Sequence, residues 1–331
     1  MDGTTTTVVI DVGEDEAGGR IDRFLGHRFY PAYSRSFLTG LIASGEILVN
    51  GRSVRPAYRI GIGDRIEAHL APQTESSPAP EPIPLSILYE DEHILVIDKP
   101  SGMVVHPGPG TKSGTLVNAL LNHDPAIAKV GIVFRPGIVH RLDANTTGAM
   151  VIARTNHARV HLVEQFKTKR VKKEYRALCL GQIPFDSDYI DLAIGKDPHK
   201  PDRMRIDPED GKPSSTFYEV VERFEGATHT KAMPATGRTH QIRVHLAQIG
   251  FPIIGDPVYG RQAVAVHKAA LQRAREAGEP SVDVRRHMLH AHRLTLDHPV
   301  REERVTFESP LPSDMTAVLE FLREHRALPS D

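Results

Sequence analysis

The 331-residue sequence has a single cysteine, Cys179, no apolar run approaching the length of a membrane span, and almost no net charge: 41 Lys and Arg against 42 Asp and Glu give −1. One cysteine excludes an internal disulfide and a thiolate zinc site, and suits a reducing cytosol. The missing apolar run leaves no candidate transmembrane helix. The first residues, Met1-Asp2-Gly3 and four threonines, carry no basic-then-apolar leader, so a cytoplasmic protein is expected. Neutral total charge gives no global sign of nucleic-acid binding; only local counts do. The hydrophobic fraction of 40% and charged fraction of 25% fit a soluble globular chain of one or two domains with a real core.

Two further absences narrow the chemistry. Gly108, Gly110 and Gly114 suggest a phosphate loop, but no glycine precedes Lys112-Ser113 and the P-loop pattern fails. His287, His290 and His292 lie close enough to chelate, yet no nearby carboxylate or cysteine completes a metal site. No metal and no cofactor are expected.

Local charge is more informative. Residues 1–18 hold five acids and no Lys or Arg, and read as a flexible lead-in. From Arg20 to Leu70 eight arginines face four acids, a net +4. A helix is expected from Ile21 to about Arg28, and another from a Ser34 cap to a Gly45 stop. Asn50-Gly51 between Ile47-Leu48-Val49 and Arg52-Ser53-Val54 predicts a tight hairpin with a type I′ turn. Residues 71–84 contain five prolines among Ser, Thr and Gln, a semi-extended linker and domain boundary.

After the linker, Ser86–Tyr89 and Ile94–Ile97 read as strands, followed by Lys99-Pro100 and Val105-His106-Pro107. Thr115 to Leu121 reads as a short helix. The stretch Gly137-Ile138-Val139-His140-Arg141-Leu142-Asp143-Ala144-Asn145-Thr146-Thr147-Gly148 sets one aspartate in a polar loop between two apolar runs read as strands. Such a loop is a rigid mount for a reacting group, although a lone loop Asp more often caps a turn.

A helix capped at Thr155 or Asn156 is expected to run to about Lys167 and to bury Val160, Val163 and Phe166. Between Arg154 and Arg176 eight bases face two acids, a net +6 placed directly after the Asp143 loop, where it can hold a phosphate backbone. Lys173-Glu174-Tyr175 begins a strand inside that run. Residues 196–212 are polar and unreadable, and strand signals return at Thr216–Val221. Arg238-Thr239-His240-Gln241-Ile242-Arg243-Val244-His245-Leu246 then predicts a helix from about Thr239, with Ile242 and Leu246 buried and an arginine facing Asp143. Residues 262–277 read as a charged, Ala-rich helical insertion, and a helix from Ser313 buries Val318, Leu319 and Leu322.

The loop around Asp143 resembles the aspartate motif of the RluA/RluD family of pseudouridine synthases, with Ala144 where the family often has Lys and Thr147 where Ser is common. The resemblance extends to the Lys-Pro to His-Pro run, to Lys173-Glu174-Tyr175, and to Ala235–Ala247 with Gly255-Asp256-Pro257-Val258-Tyr259-Gly260. The N-terminal segment is similar to the small alpha-L RNA-binding module of ribosomal protein S-four type. Together these imply an α+β protein: that module over residues 19–70, then a mixed, mainly antiparallel-sheet catalytic domain over 85–331. They also imply that Asp143 is the indispensable catalytic group, that Arg243 pairs with it, and that Tyr175 is a stacking platform for the target base. His140, Arg141, Lys173, Arg238, His240, His106 and Arg35 become candidate substrate contacts. The implied partner is RNA, with large-subunit ribosomal RNA or a pre-ribosomal particle as the substrate of an RluD-type, monomeric enzyme.

The residues suit that chemistry in their own right. Converting uridine to pseudouridine exchanges an N-glycosidic for a C-glycosidic bond without redox change, and so needs a carboxylate rather than a cofactor. Extruding the base needs a basic groove and an aromatic wall. A glycoside or nucleoside hydrolase would be expected to set two carboxylates across the bond, and only one stands out here. A non-catalytic RNA-binding or ribosome assembly factor would need no such set as Asp143, Tyr175 and Arg243 together.

Overall fold

The computed structural model describes residues 6–29, 33, 35–70, 78–108, 110–132, 134–200, 203–260, 276, 278 and 280–328. Ser34, the first half of the expected linker (71–77) and most of the expected helical insertion (262–277) lie outside the described residues.

The N-terminal unit comprises β1 (Thr6–Asp11), α1 (Ile21–Arg28), α2 (Arg35–Ser44), β2 (Ile47–Val49), β3 (Arg52–Ser53) and β4 (Arg65–Leu70), with sheet order β1-β4-β2-β3. Asn50 and Gly51 both have positive φ, 52° and 72°, as the hairpin turn requires. After α2, Gly45 at φ 83° sends its N–H to Ile42 O while Glu46 N–H reaches Leu41 O, a Schellman closure of the helix. Ile21, Leu25, Leu38, Ile42, Ile47 and Ile66 form a buried core.

The expected flexible lead-in is instead a strand: Thr6–Asp11 pairs antiparallel with Arg65–Leu70 along its whole length. Thr-Thr-Val-Val-Ile alternates about the sheet, burying Ile10 and exposing Val9, and that period outweighs the acidic composition on which the lead-in expectation rested. The linker is also shorter than its proline content suggests. Asn118 donates to Ala79 O at 2.7 Å and accepts Glu81 N–H at its backbone oxygen at 3.0 Å, so residues 79–81 are held against the second unit.

That second unit is one nine-stranded sheet among the described residues, built from β5 (Ser86–Glu90), β6 (Ile94–Lys99), β9 (Thr147–Ala153), β10 (Lys172–Leu180), β11 (Ser187–Asp191), β14 (Ser215–Phe224), β15 (Ala227–Pro234), β16 (Leu289–Asp297) and β17 (Arg304–Glu308). The order is β11-β14-β15-β10-β16-β9-β6-β5, with β17 on β16. Every pair is antiparallel except β9 with β16. Small hairpins β7 (Gly131–Ile132) with β8 (Arg135–Pro136), and β12 (Ile194–Lys196) with β13 (Met204–Ile206), stand apart; the second occupies the stretch that sequence patterning left unread. Among the described residues, the unit also has helices α3 (Leu116–His123), α4 (Asn156–Lys167), α5 (Gln241–Gln248) and α6 (Ser313–His325).

The parallel β9–β16 contact positions the Asp143 loop. Gly148 sits at φ 116°, and a Cβ there would lie 2.2 Å from Ala291 O, so only glycine permits the approach. Two sequence expectations need correction. Ile138–Val139 does not form a strand: a single bridge joins Ile138 to Ile152, because the chain turns at Gly137 (φ 71°) and runs directly into the loop. In α4 the buried face is Ala158, Leu162 and Gln165, whereas Val160 and Val163 are 63% and 40% exposed. Gln165 is drawn inward by bonds to the backbone of Asp297, donating to its O at 2.7 Å and accepting its N–H at 2.8 Å, which an apolar count does not register.

Candidate active site

Asp143 leaves the sheet on a short turn. Leu142 is buried in the core below it, and Thr146 N–H closes the turn onto Asp143 O at 3.1 Å. Helix α5 comes from the opposite side. Its N-cap, His240, adopts the left-handed conformation at φ 57°, and the helix then begins at Gln241, two residues later than the sequence suggests. The left-handed turn brings both His240 and Arg243 to the aspartate. Arg243 Nη1 donates to Asp143 Oδ2 at 2.9 Å, and His240 Nε2 lies 3.8 Å from the same oxygen. No hydrogen bond reaches Oδ1 among the described residues.

Arg243 is only 4% exposed, and its other edge is fully committed: Nε and Nη2 donate to the two oxygens of Asp256 at 2.7 and 3.0 Å. Asp256 is wholly buried and also accepts the backbone N–H groups of Val258 and Tyr259. Burial opposes both charges, but the paired hydrogen bonds prevail: the guanidinium is pushed above its ordinary pKa and the Asp256 carboxyl below. The guanidinium is thus oriented before anything binds.

Tyr259 ties this corner together. Its ring lies 5.2 Å under the Arg243 guanidinium carbon and 5.5 Å from that of Arg203. Its oxygen accepts Met204 N–H at 2.9 Å and lies 2.9 Å from His240 Nδ1. With the phenol donating to Nδ1, the ring proton of His240 sits on Nε2, facing Asp143. Burial lowers the His240 pKa, against the pull of Asp143.

A cleft of about 530 Å³ opens over these groups, lined also by Tyr175, Lys173, Arg141, His140, Arg238, Phe166, Lys167 and Lys169. Tyr175 forms the apolar wall; burial and then the charge of Asp143 raise its phenol above the ordinary range. Lys173 donates to Thr236 O at 2.8 Å, and burial lowers its pKa to about 8. Arg238 donates to Pro213 O, and its buried Nε has no partner among the described residues. Arg141 is exposed at the cleft edge.

Of the ten residues singled out from sequence, the structure brings eight to this cleft and leaves two elsewhere. His106 is buried off the cleft wall, its Nδ1 unpartnered among the described residues, and burial with the charges of Arg135 and Arg141 lowers its pKa. Arg35 belongs to the N-terminal unit, where it donates to Asp22 at 2.6 Å beside Arg20; the Asp22 carboxyl is lowered to about 2 in spite of its burial. His140, though on the lining, is occupied structurally. Its Nε2 accepts Val151 N–H at 3.0 Å, its ring stacks on Phe166 at 4.6 Å, and burial and Lys173 lower its pKa to about 3.

Other residues escaped sequence reasoning. Asp256 and Tyr259 fall in the quoted Gly255–Gly260 run without an assigned role. Lys99 is fully buried and donates to Pro100 O, Met103 O and Ala144 O at 2.8, 2.9 and 2.8 Å, the last beside Asp143. Burial lowers its pKa to about 7, against the attraction of Asp143. The three histidines weighed as metal ligands are engaged by protein groups: His287 meets Thr146 Oγ1, His290 meets Thr147 Oγ1 and Ser309 O, and His292 meets the same Ser309 O.

A family model of RNA pseudouridylate synthase matches residues 93–248, and one of the S4 domain matches residues 19–66. The chain is 43% identical over 316 residues to the ribosomal large subunit pseudouridine synthase D of Pseudomonas aeruginosa, covering 94% of each chain. It is 42% identical to the protein of the same name from Nitrosomonas europaea, covering 96% of this chain and 88% of that one. Among solved structures, human RNA pseudouridylate synthase domain containing 4 superposes with a TM-score of 0.55 at 27% identity, over 74% of this chain and 95% of that one.

Proposed function

The chain belongs to the RNA pseudouridylate synthase family, and from that premise we propose that it isomerises uridines of large-subunit ribosomal RNA with Asp143 as the reacting carboxylate. The enzyme is an isomerase: the C1′–N1 bond breaks, a C1′–C5 bond forms, C5 loses its proton and N1 gains one. Nothing is oxidised or reduced.

One observation supports the role of Asp143 above others. Its Oδ2 is engaged by Arg243, whose remaining nitrogens are fixed by buried Asp256, while the carboxylate faces a cleft with a tyrosine wall. Arg243 is the positioning and charge-balancing partner. Tyr175 is the surface against which an extruded uracil stacks. Arg141, Lys173 and Arg238 are the substrate contacts, with His240 held at the aspartate by Tyr259. Lys167 and Lys169 extend the basic lip toward phosphates.

The ribosomal substrate rests on the names of the relatives and on the S4 domain. We assign residues 19–70 to RNA binding, 71–84 to the connection, and 85–331 to catalysis. We further propose that the enzyme acts as a monomer in the cytoplasm, a location supported by the ribosomal RNA substrate in the relatives' names. No helix among the described residues is long and apolar enough to cross a membrane.

The test uses RNA transcripts tritiated at uracil C5, since the reaction expels that hydrogen. Large-subunit ribosomal RNA should release tritium with the parent protein, and Asp143→Asn should release none while binding RNA within about tenfold of the parent, because one loop charge adds little to a groove held by many bases. Release from transfer RNA alone would overturn the substrate; full release by the Asn variant would overturn Asp143.

A further inference from the structure

The loop after Asp143 is held residue by residue by basic side chains from outside it. Lys99 takes Ala144 O at 2.8 Å, Arg286 approaches Asn145 O at 3.4 Å, His287 Nε2 meets Thr146 Oγ1 at 2.8 Å, and His290 Nδ1 meets Thr147 Oγ1 at 2.9 Å. Three of the four come from the start of β16 and the residues before it, brought alongside by the parallel pairing that Gly148 permits.

Within this set the Thr146–His287 contact is the one that bears directly on Asp143. Thr146 is also the residue whose N–H closes the turn onto Asp143 O, so fixing its side chain fixes the aspartate's backbone. Both partners are 2% exposed. Their anchor is rigid: Arg286 grips Asp314 at the start of α6 with two bonds of 2.6 and 2.8 Å, and donates to His287 O and Leu289 O at 3.0 Å each.

We propose that Thr146 and His287 form a positioning pair for Asp143, holding the turn so that the carboxylate meets Arg243 and faces the cleft. Thr146 lies on the cleft lining and His287 behind it, and the pair acts through the 143–146 turn. Misplacing a reacting group by about 1 Å costs on the order of 100-fold in rate, which is the scale of effect the pair controls. Burial, with the charge of Arg243, lowers the His287 pKa to about 4, so the ring holds the loop as a neutral hydrogen-bonding group and adds no charge beside the aspartate.

The proposal rests on Asp143 being the reacting carboxylate, and the test separates the two. Single-turnover tritium release at saturating RNA and RNA affinity are measured for Thr146→Val, Thr146→Ser, His287→Leu and the Val/Leu double variant, with Asp143→Asn as reference and thermal melts as a check on folding. Thr146→Val should lose about 10- to 100-fold in saturating rate with affinity within about threefold, and Thr146→Ser, which keeps the hydroxyl, should recover most of it. His287→Leu should match Thr146→Val, and the double variant should be no slower than the worse single, since one bond is lost in each. A Val variant within about threefold of the parent, a Ser variant as slow as Val, or multiplied losses in the double variant would overturn the pair. If His287→Leu does not fold, the Val and Ser variants decide alone. An inactive Asp143→Asn beside a fully active Thr146→Val would sink this proposal and leave the assignment of Asp143 standing.

Discussion

Arg243 meets Asp143 through a single nitrogen, Nη1, at 2.9 Å, although the two residues are 100 positions apart in sequence. The rest of the guanidinium is spent on Asp256, so the arginine is oriented by a buried carboxylate and presents its remaining edge to a partly exposed one. The burial gradient gives the pair its direction. Asp256 and Arg243 form a fixed base, and Asp143 is the most exposed member of the three.

Asp256→Asn should therefore damage both stability and rate. It leaves a buried guanidinium with half its compensating charge, and breaking a buried pair costs about 3 kcal/mol or more. We expect a clear drop in melting temperature and a loss of at least about tenfold in single-turnover rate. Thermal melts alongside saturating tritium release check both. An Asn variant with the parent rate would show that Asp143 orients Arg243 unaided.

Removal of residues 1–77 takes away an arginine-rich unit while keeping the Ala79–Glu81 contacts with Asn118. RNA affinity should fall by about 10- to 100-fold at moderate salt, and log affinity should depend less steeply on log salt because fewer phosphates are contacted. The rate at saturating RNA should stay within about threefold. Loss of that saturating rate, with the sheet still folded, would mean that the N-terminal unit positions the uridine itself.

Several buried histidines make stability sensitive to mild acid. His140, His229 and His287 have folded values of about 3, 4 and 4, each depressed first by burial, from an ordinary 6.5. A base whose folded pKa is depressed binds fewer protons in the folded state, so stability is full above 6.5 and is lost as pH falls toward 4. His229 is the cleanest case: it is 4% exposed, and neither ring nitrogen has a partner among the described residues. By pH 5 such a group costs about 2 kcal/mol. His229→Leu, which removes no hydrogen bond, should melt close to the parent at pH 8 and clearly above it at pH 5. Parallel melting curves for the two proteins across that range would refute the assignment.

The local sequence determined the pieces whose physics is local. The Asn50-Gly51 turn needs two positive φ values that those residues tolerate, and the Gly45 stop of α2 and the Thr155 cap of α4 follow from neighbouring letters. The contact between Arg243 and Asp143 was likewise legible, because the Asp143 loop and the Arg238–Leu246 run each match a motif whose resemblance implies that pairing. Tertiary structure alone decided what depends on neighbours distant in the chain. Which face of α4 is buried was set by Gln165 bonding Asp297, so its two exposed valines misled the apolar pattern. Thr6–Asp11 became a strand because Arg65–Leu70 offered an unpaired edge. His287 read as one of three spaced histidines, and only the close approach of Gly148 to Ala291, which no single segment encodes, delivered it to Thr146 beside Asp143.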